Sequence, residues 1–250
     1  MLELIFVIVI MAILAKFGVE LYLQIVNNYV NTIDTTEKEE QTQVLIEQIA
    51  NRLRERIPES TRLTAGGIDW IGVETSGWNG GLWSGIADIG RGETDSNATL
   101  IESPGTSASR FNGTNGKYAL FFKQNDVMAR SLFYNNAGGV MHAVSTFDTS
   151  AGRNAFVLSA NAGKISEHYF VSEFAYSLDW DSAAQKLYLY TFKPWINNVK
   201  TRYLLGERVS LFTVKNLKGN AGGMLITVCM RRHNFTGEGD ASICKQKFIF

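Results

Sequence analysis

The chain opens MLELIFVIVIMAILA (Met1–Ala15), a single carboxylate, Glu3, followed by twelve apolar residues from Leu4 to Ala15. A segment apolar on every side needs lipid or protein on every side. An unpaired glutamate carried into hydrocarbon is costly, so an acid placed at the lip of such a segment marks a functional site whose partner has to be found. The apolar character runs on through Phe17, Val19, Leu21, Leu23, Ile25 and Val26, interrupted by Lys16, Gly18 and Glu20. Twelve uninterrupted residues fall short of the roughly 20 that span a bilayer, but a lysine can snorkel to an interface, so a span is expected. A secretory signal peptide would carry a basic start and a small-residue cleavage site. No Lys or Arg precedes the segment, and the residues after Ala15 keep helical character.

From Met1 to Ile57 there is no proline and one glycine, Gly18, and Pro58 then ends the run. At about 1.5 Å per residue such a helix is on the order of 85 Å long, too long for a compact domain, so it must project. Further along, Leu45, Ile49, Leu53 and Ile57 recur every four residues, with Glu47, Arg52, Arg54 and Glu55 between them. That is one buried stripe rather than an all-round apolar surface. The organisation expected is therefore a stem over 1–30, an amphipathic half over 31–57 laid on a globular part, and a β-rich head over 58–250. Gly18 lowers helix stability by about 1 kcal/mol relative to alanine; a bend in the stem and a small residue at a crowded contact are both open readings.

Beyond Thr61 the pattern turns to β. YALFFK (118–123), AFVLSA (155–160), YFVSEFAYSL (169–178), KLYLYTF (186–192), RVSLFTV (208–214), MLITVCM (224–230) and KFIF (247–250) are rich in β-branched and aromatic residues. DWDSAAQ (179–185) reads as a hairpin connection, so most of the head is expected to be antiparallel sheet. The stretch from Gly66 to Gly116 is glycine-rich and polar and predicts an irregular or short-strand excursion. The fold class expected is α+β, a long helical stem packed on an antiparallel β-sheet head.

Lysine plus arginine, 24, equal aspartate plus glutamate, 24, which leaves no basic field to draw nucleic acid. Three histidines, His142, His168 and His233, show no metal-ligand spacing, and GxSxG, P-loop and GxGxxG motifs are absent. No enzyme activity, cofactor or metal site is expected. Asp179 with Asp181, and Glu238 with Asp240, could offer oxygen ligands to Ca²⁺, but the EF-hand spacing is lacking and plain turn residues are the simpler reading. The two cysteines, Cys229 and Cys244, suggest one disulfide made in an oxidising compartment, against two unrelated buried thiols. Trp70, Trp78 and Trp83 lie among glycines; exposed, they would form a platform for sugar or a protein partner, and buried they pin a loop-rich region to the sheet. Asn97, in Asp-Ser-Asn-Ala-Thr, is an N-glycosylation acceptor with an acid two places before it, with chance occurrence as the competing reading.

Met-Leu-Glu-Leu ahead of an apolar run, the long helix, the β head and the C-terminal cysteine pair together resemble the type IV pilin superfamily: pilins, minor pilins and the pseudopilins of type II secretion. The family motif has a glycine cleaved by prepilin peptidase, a methylated Phe-type residue, and then a glutamate heading the helix. Met1, Leu2 and Glu3 match its last part. The glycine and the aromatic residue do not precede Glu3 here, and the expectation is that a basic leader and the first residues belong upstream. AYSLDWDSAAQKLYLYTF followed by LLGERVSLFTV is similar to the larger minor pilins and J-type pseudopilins. The resemblance covers the first 57 residues by motif and the head by layout.

The resemblance implies a non-enzymatic filament subunit that waits in the inner membrane and then polymerises through its N-terminal helix into a periplasmic or surface fibre. Its partners would be identical or homologous subunits, inner-membrane lipid and the pilus or secretion machinery. It also implies a partner for Glu3, the terminal amine of a neighbouring subunit, acting as an assembly and register device in low dielectric. A first-turn acid favoured by the helix dipole, worth under about 1 kcal/mol, is the plainer alternative. A rival from another class is a membrane-anchored binding or adhesion module, with the stem as anchor and the β head as receptor.

Overall fold

The computed structural model describes residues 2–57, 59–88, 94–95, 98–107, 116–122, 133–134, 140–158, 165–216, 223–232 and 241–250. Its first element is one unbroken helix, α1 (Leu2–Arg54). The remaining elements run in the order β1 (Arg62–Leu63), β2 (Gly67–Ile71), α2 (Thr75–Asn79), β3 (Thr94–Asp95), β4 (Ala98–Glu102), β5 (Ala119–Phe122), β6 (Met141–Asp148) and β7 (Ala155–Leu158). They continue with β8 (Tyr169–Ser172), β9 (Ala175–Asp181), β10 (Lys186–Lys193), β11 (Asn197–Glu207), β12 (Val209–Asn216), β13 (Met224–Arg231) and β14 (Ser242–Ile249). The protein is α+β, a long N-terminal helix followed by antiparallel sheet.

Among the described residues the antiparallel head is divided into three sheets, β1-β2-β9-β10-β11, β12-β13-β14 and β3-β4-β7-β6-β5-β8. The first two share one core with the second half of α1. Leu45, Ile46, Ile49, Ala50 and Leu53 of the helix meet Ile68 and Trp70 of β2, Leu178 of β9, Leu187 and Leu189 of β10, and Val209, Ile226, Val228 and Ile249 of the three-stranded sheet. The four-residue apolar spacing is the cause, because it keeps one stripe pointed at the sheets while Arg52 and Arg54 stay exposed and Glu47 sits at the edge of the contact. Trp180 ties the two sheets by donating from Nε1 to the Val209 carbonyl at 3.0 Å.

α1 stops at Arg54, short of Ile57. Arg56 donates a guanidinium hydrogen bond to the Leu53 carbonyl at 2.7 Å, and the Ile57 N–H bonds the Ile71 carbonyl at 2.8 Å. The first satisfies a carbonyl that the helix end leaves open, and the second ties the chain just past the helix to the end of β2. Ile57 is consequently buried in a different cluster, with Ile71, Phe121, Phe192 and Trp195.

The stretch expected to be an irregular or short-strand excursion holds the five-residue β2, an interior strand of the five-stranded sheet. Gly67 lies opposite Asp179, and a Cβ there would sit 1.8 Å from the Leu178 carbonyl oxygen, so only glycine permits the two strands to approach. Since β2 pairs with β9, the whole six-stranded sheet is inserted between two neighbouring strands. Its strand β5 is buried on both faces: Leu120 and Phe122 enter one cluster with Phe156 and Tyr169, while Ala119 and Phe121 enter the other with Met141 and Trp195. The two-residue period of a strand produces that division.

The run 169–178 is two strands in two sheets, β8 beside β5 and β9 beside β2 and β10, with the chain crossing at Glu173 and Phe174. The β9–β10 hairpin closes around 182–185, where Asp181 Oδ1 accepts the Ala184 N–H at 2.9 Å and Gln185 takes φ 54°. Asp181 is thus a turn residue in the Asx sense.

Candidate functional site: the exposed rod and its junction with the head

From Leu4 to Val26 the large apolar side chains of α1 are between 36 % and 67 % exposed, and none is covered by the rest of the chain. Removing so much apolar surface from water is the largest favourable free energy still open to this molecule. The helix is long and apolar enough to cross a membrane. Glu3 stands in its first turn, exposed. Lys16 and Glu20 are exposed as well, one turn apart. No heavy atom lies within 4 Å of a Cβ built on Gly18, and the helix passes through it unbroken, so no contact within the chain calls for a small residue there.

Past Val26 the helix becomes polar. The hydroxyls of Thr32, Thr35 and Thr36 turn back onto the carbonyls of Asn28, Asn31 and Thr32 at 2.7, 2.6 and 3.0 Å. These side chains thereby satisfy themselves on the helix and need no partner from the head. The head takes hold at the same level: Arg232 Nη2 reaches the Asn31 carbonyl at 3.4 Å and its Nε lies 3.8 Å from Asp34. Lower down, Lys245 pairs with Glu39 at 2.6 Å and Lys247 with Glu47. The Lys247 hydrogen bond holds the Glu47 carboxyl below the usual carboxylate range. Both lysines stand on β14, two residues apart and therefore on one face of the strand, as the strand period requires.

Beside the helix runs an open groove of about 1050 Å³ between α1 and the end of β11, lined by Ile33, Lys38, Val44, Leu205, Gly206 and Met230 among others. Lys38 is 8 % exposed and donates to Gln41 Oε1 at 2.8 Å. Gly206 sets the groove floor, since a Cβ there would meet Leu45 Cδ2 at 2.9 Å.

Cys229 and Cys244 form a disulfide between directly paired residues of β13 and β14. It fixes the register that brings Lys245 and Lys247 over α1. The surface-binding reading of the tryptophans is corrected for two of the three. Trp70 is fully buried in the helix–sheet core, stacked on Tyr176 at 5.4 Å, and Trp83 is 4 % exposed in the separate cluster of the six-stranded sheet. They serve two different cores and share no surface. Trp78 stands on α2, its side chain outside those described, and Asn97 likewise lies outside the described residues.

Two features are not foreseen from the sequence, the three cations that grip α1 and the groove beside it. Alternation of Ile243, Lys245, Lys247 and Ile249 on one face of a strand is the available signal for the first. Among the described residues no group of three His, Cys, Asp or Glu side chains comes together as metal ligands. Comparison with protein-family models, with curated proteins and with solved structures gives no match.

Proposed function

We propose that this chain is a structural subunit of a type IV pilin-like filament, a pilin, minor pilin or pseudopilin, polymerising through residues 1–30 of its N-terminal helix. The observation that carries the reading is the bare rod. An exposed apolar helix runs without a break into a helix half that is packed on a β head and pinned by Arg232, Lys245 and Lys247.

A flexible anchor would need no such pinning. With the lower half of the helix held in this way, each copy would present its apolar surface in one orientation, as a repeating assembly requires. Lipid covers the rod before assembly and neighbouring rods cover it afterwards; the head, with its two sheets over the helix and its inserted six-stranded sheet, faces outward and decides what the fibre touches. Glu3 supplies the one acid at the membrane end, where burial among apolar rods makes pairing strongly favourable over isolation.

Electron microscopy of fibres sheared from the cell surface, with mass spectrometry of their subunits, tests the reading. Recovery of this chain as a stoichiometric fibre component is expected. Its recovery only from solubilised membrane, with fibres of other composition, would count against the proposal.

A further inference from the structure

We infer that Glu3 of one copy pairs with Lys16 of a second copy of this chain, in place of the terminal amine that the family resemblance implies, and that this pairing sets a stagger of about 20 Å between parallel rods, at 1.5 Å per residue over thirteen residues. The inference rests on the filament reading and names the contact that would build it.

Between Leu2 and Ile33 the chain carries three charged side chains, Glu3, Lys16 and Glu20, of which Lys16 is the one base. All three are exposed, and none takes part in an ion pair among the described residues. In water that is unremarkable. In a low-dielectric bundle of rods each bare charge must find an opposite one; Lys16 and Glu20, one turn apart, can meet on their own rod, but for Glu3 the rod offers no basic side chain within a turn, so a neighbouring rod has to provide it.

Parallel copies in register would place Glu3 beside Glu3, Lys16 beside Lys16 and Glu20 beside Glu20, three like-charge contacts. A shift of four residues pairs Lys16 with Glu20 but strands Glu3 against Val7. A shift of thirteen brings Glu3 level with Lys16, where Glu20, one turn along on the same face, completes an acid–base–acid group. The shifted copy's Lys16 and Glu20 then fall level with Tyr29 and Ile33 of the first copy, so no like charges meet.

The same spacing dictates how the contact propagates. Thirteen residues at 3.6 per turn place Glu3 and Lys16 about 140° apart around the rod. Each copy therefore offers its acid to one neighbour and its lysine to another on nearly the opposite side. Such a contact is heterologous, and combined with an axial shift it does not close into a ring but continues as an open helix.

The test uses the full chain carrying Ile10→Cys and Leu23→Cys, expressed in a bacterial membrane where all copies insert the same way. These positions lie seven residues beyond Glu3 and Lys16, within about 20° of the same faces. Both are exposed, and the native cysteines are already paired. Oxidation should give a ladder of multimers joined by 10–23 disulfides. Adding Glu3→Lys or Lys16→Glu should lower the ladder by about a hundredfold or more, as breaking a desolvated pair implies, and the two reversals in one chain should restore it.

Adducts of 10 with 10 and 23 with 23, or a ladder indifferent to the single reversals, would overturn the stagger while leaving the filament reading standing. Copies that give no adduct of any kind would overturn both.

Discussion

Glu47 shows how a single residue ties the rod to the head. Its carboxyl is held below the ordinary value of 4.5 chiefly by the hydrogen bond from Lys247. A carboxylate whose folded pKa is depressed adds stability above its unfolded pKa and loses it as pH falls through the folded value. Lys247→Met should therefore be less stable than the native chain at pH 7, and the difference should disappear once the pH has dropped below the folded pKa of Glu47. Denaturant titrations at both pH values measure it.

Trp70 belongs to the same scale. It is wholly buried among Ile49, Leu53 and Leu178, and Trp70→Ala should cost about 3–5 kcal/mol of head stability without changing association through the rod. The sequence does not decide between exposure and burial for Trp70 and Trp83, because their glycine-rich neighbourhood resembles a loop. What buries Trp70 is the pairing of β2 with β9, over a hundred residues away along the chain, and no local pattern announces it.

Elements differ in how openly the sequence declares them. β5, β7, β10, β12 and β13 lie on the apolar runs, since their burial leaves an apolar trace. β11 does not: an edge strand paired only with β10, it keeps Val199, Tyr203 and Leu204 about half or more exposed, and exposure removes the alternation that marks a strand. β6 hides for the opposite reason, its buried start including His142 among Met141, Ala143 and Val144. The amphipathic half of α1 is legible in Leu45, Ile49 and Leu53, all buried as their spacing requires, whereas Ile57, next in the spacing, lies past the helix end and is buried in another cluster. Leu53→Ala should accordingly cost about 2–5 kcal/mol in denaturant unfolding.

The disulfide acts at this scale too. Cys229 and Cys244, 15 residues apart, hold β14 in the register that delivers Lys245 and Lys247 to the helix. Replacing both with serine should lower stability by roughly 3 kcal/mol, read from the same titrations. The variant should also show faster hydrogen exchange along β14 than along β10.

For the whole molecule, rod and head should be separable. The packing stripe begins well below the apolar stretch, so a chain starting at residue 31 keeps every helix residue of the head core and should fold and remain monomeric in size-exclusion chromatography. The division of labour is readable in the sequence because an all-round apolar surface and a single stripe are different patterns on one helix. The candidate site is only partly readable: Glu3, Lys16 and Glu20 stand in plain view, whereas the head's grip on α1 depends on the fold of strands about two hundred residues later.

Cryo-electron microscopy of native particles containing the full chain tests the central claim most directly. The account predicts helical fibres with residues 4–26 at the axis, each rod flanked by other rods, and heads on the outside. Solitary copies, each rod ringed by lipid alone and absent from every fibre, would contradict it.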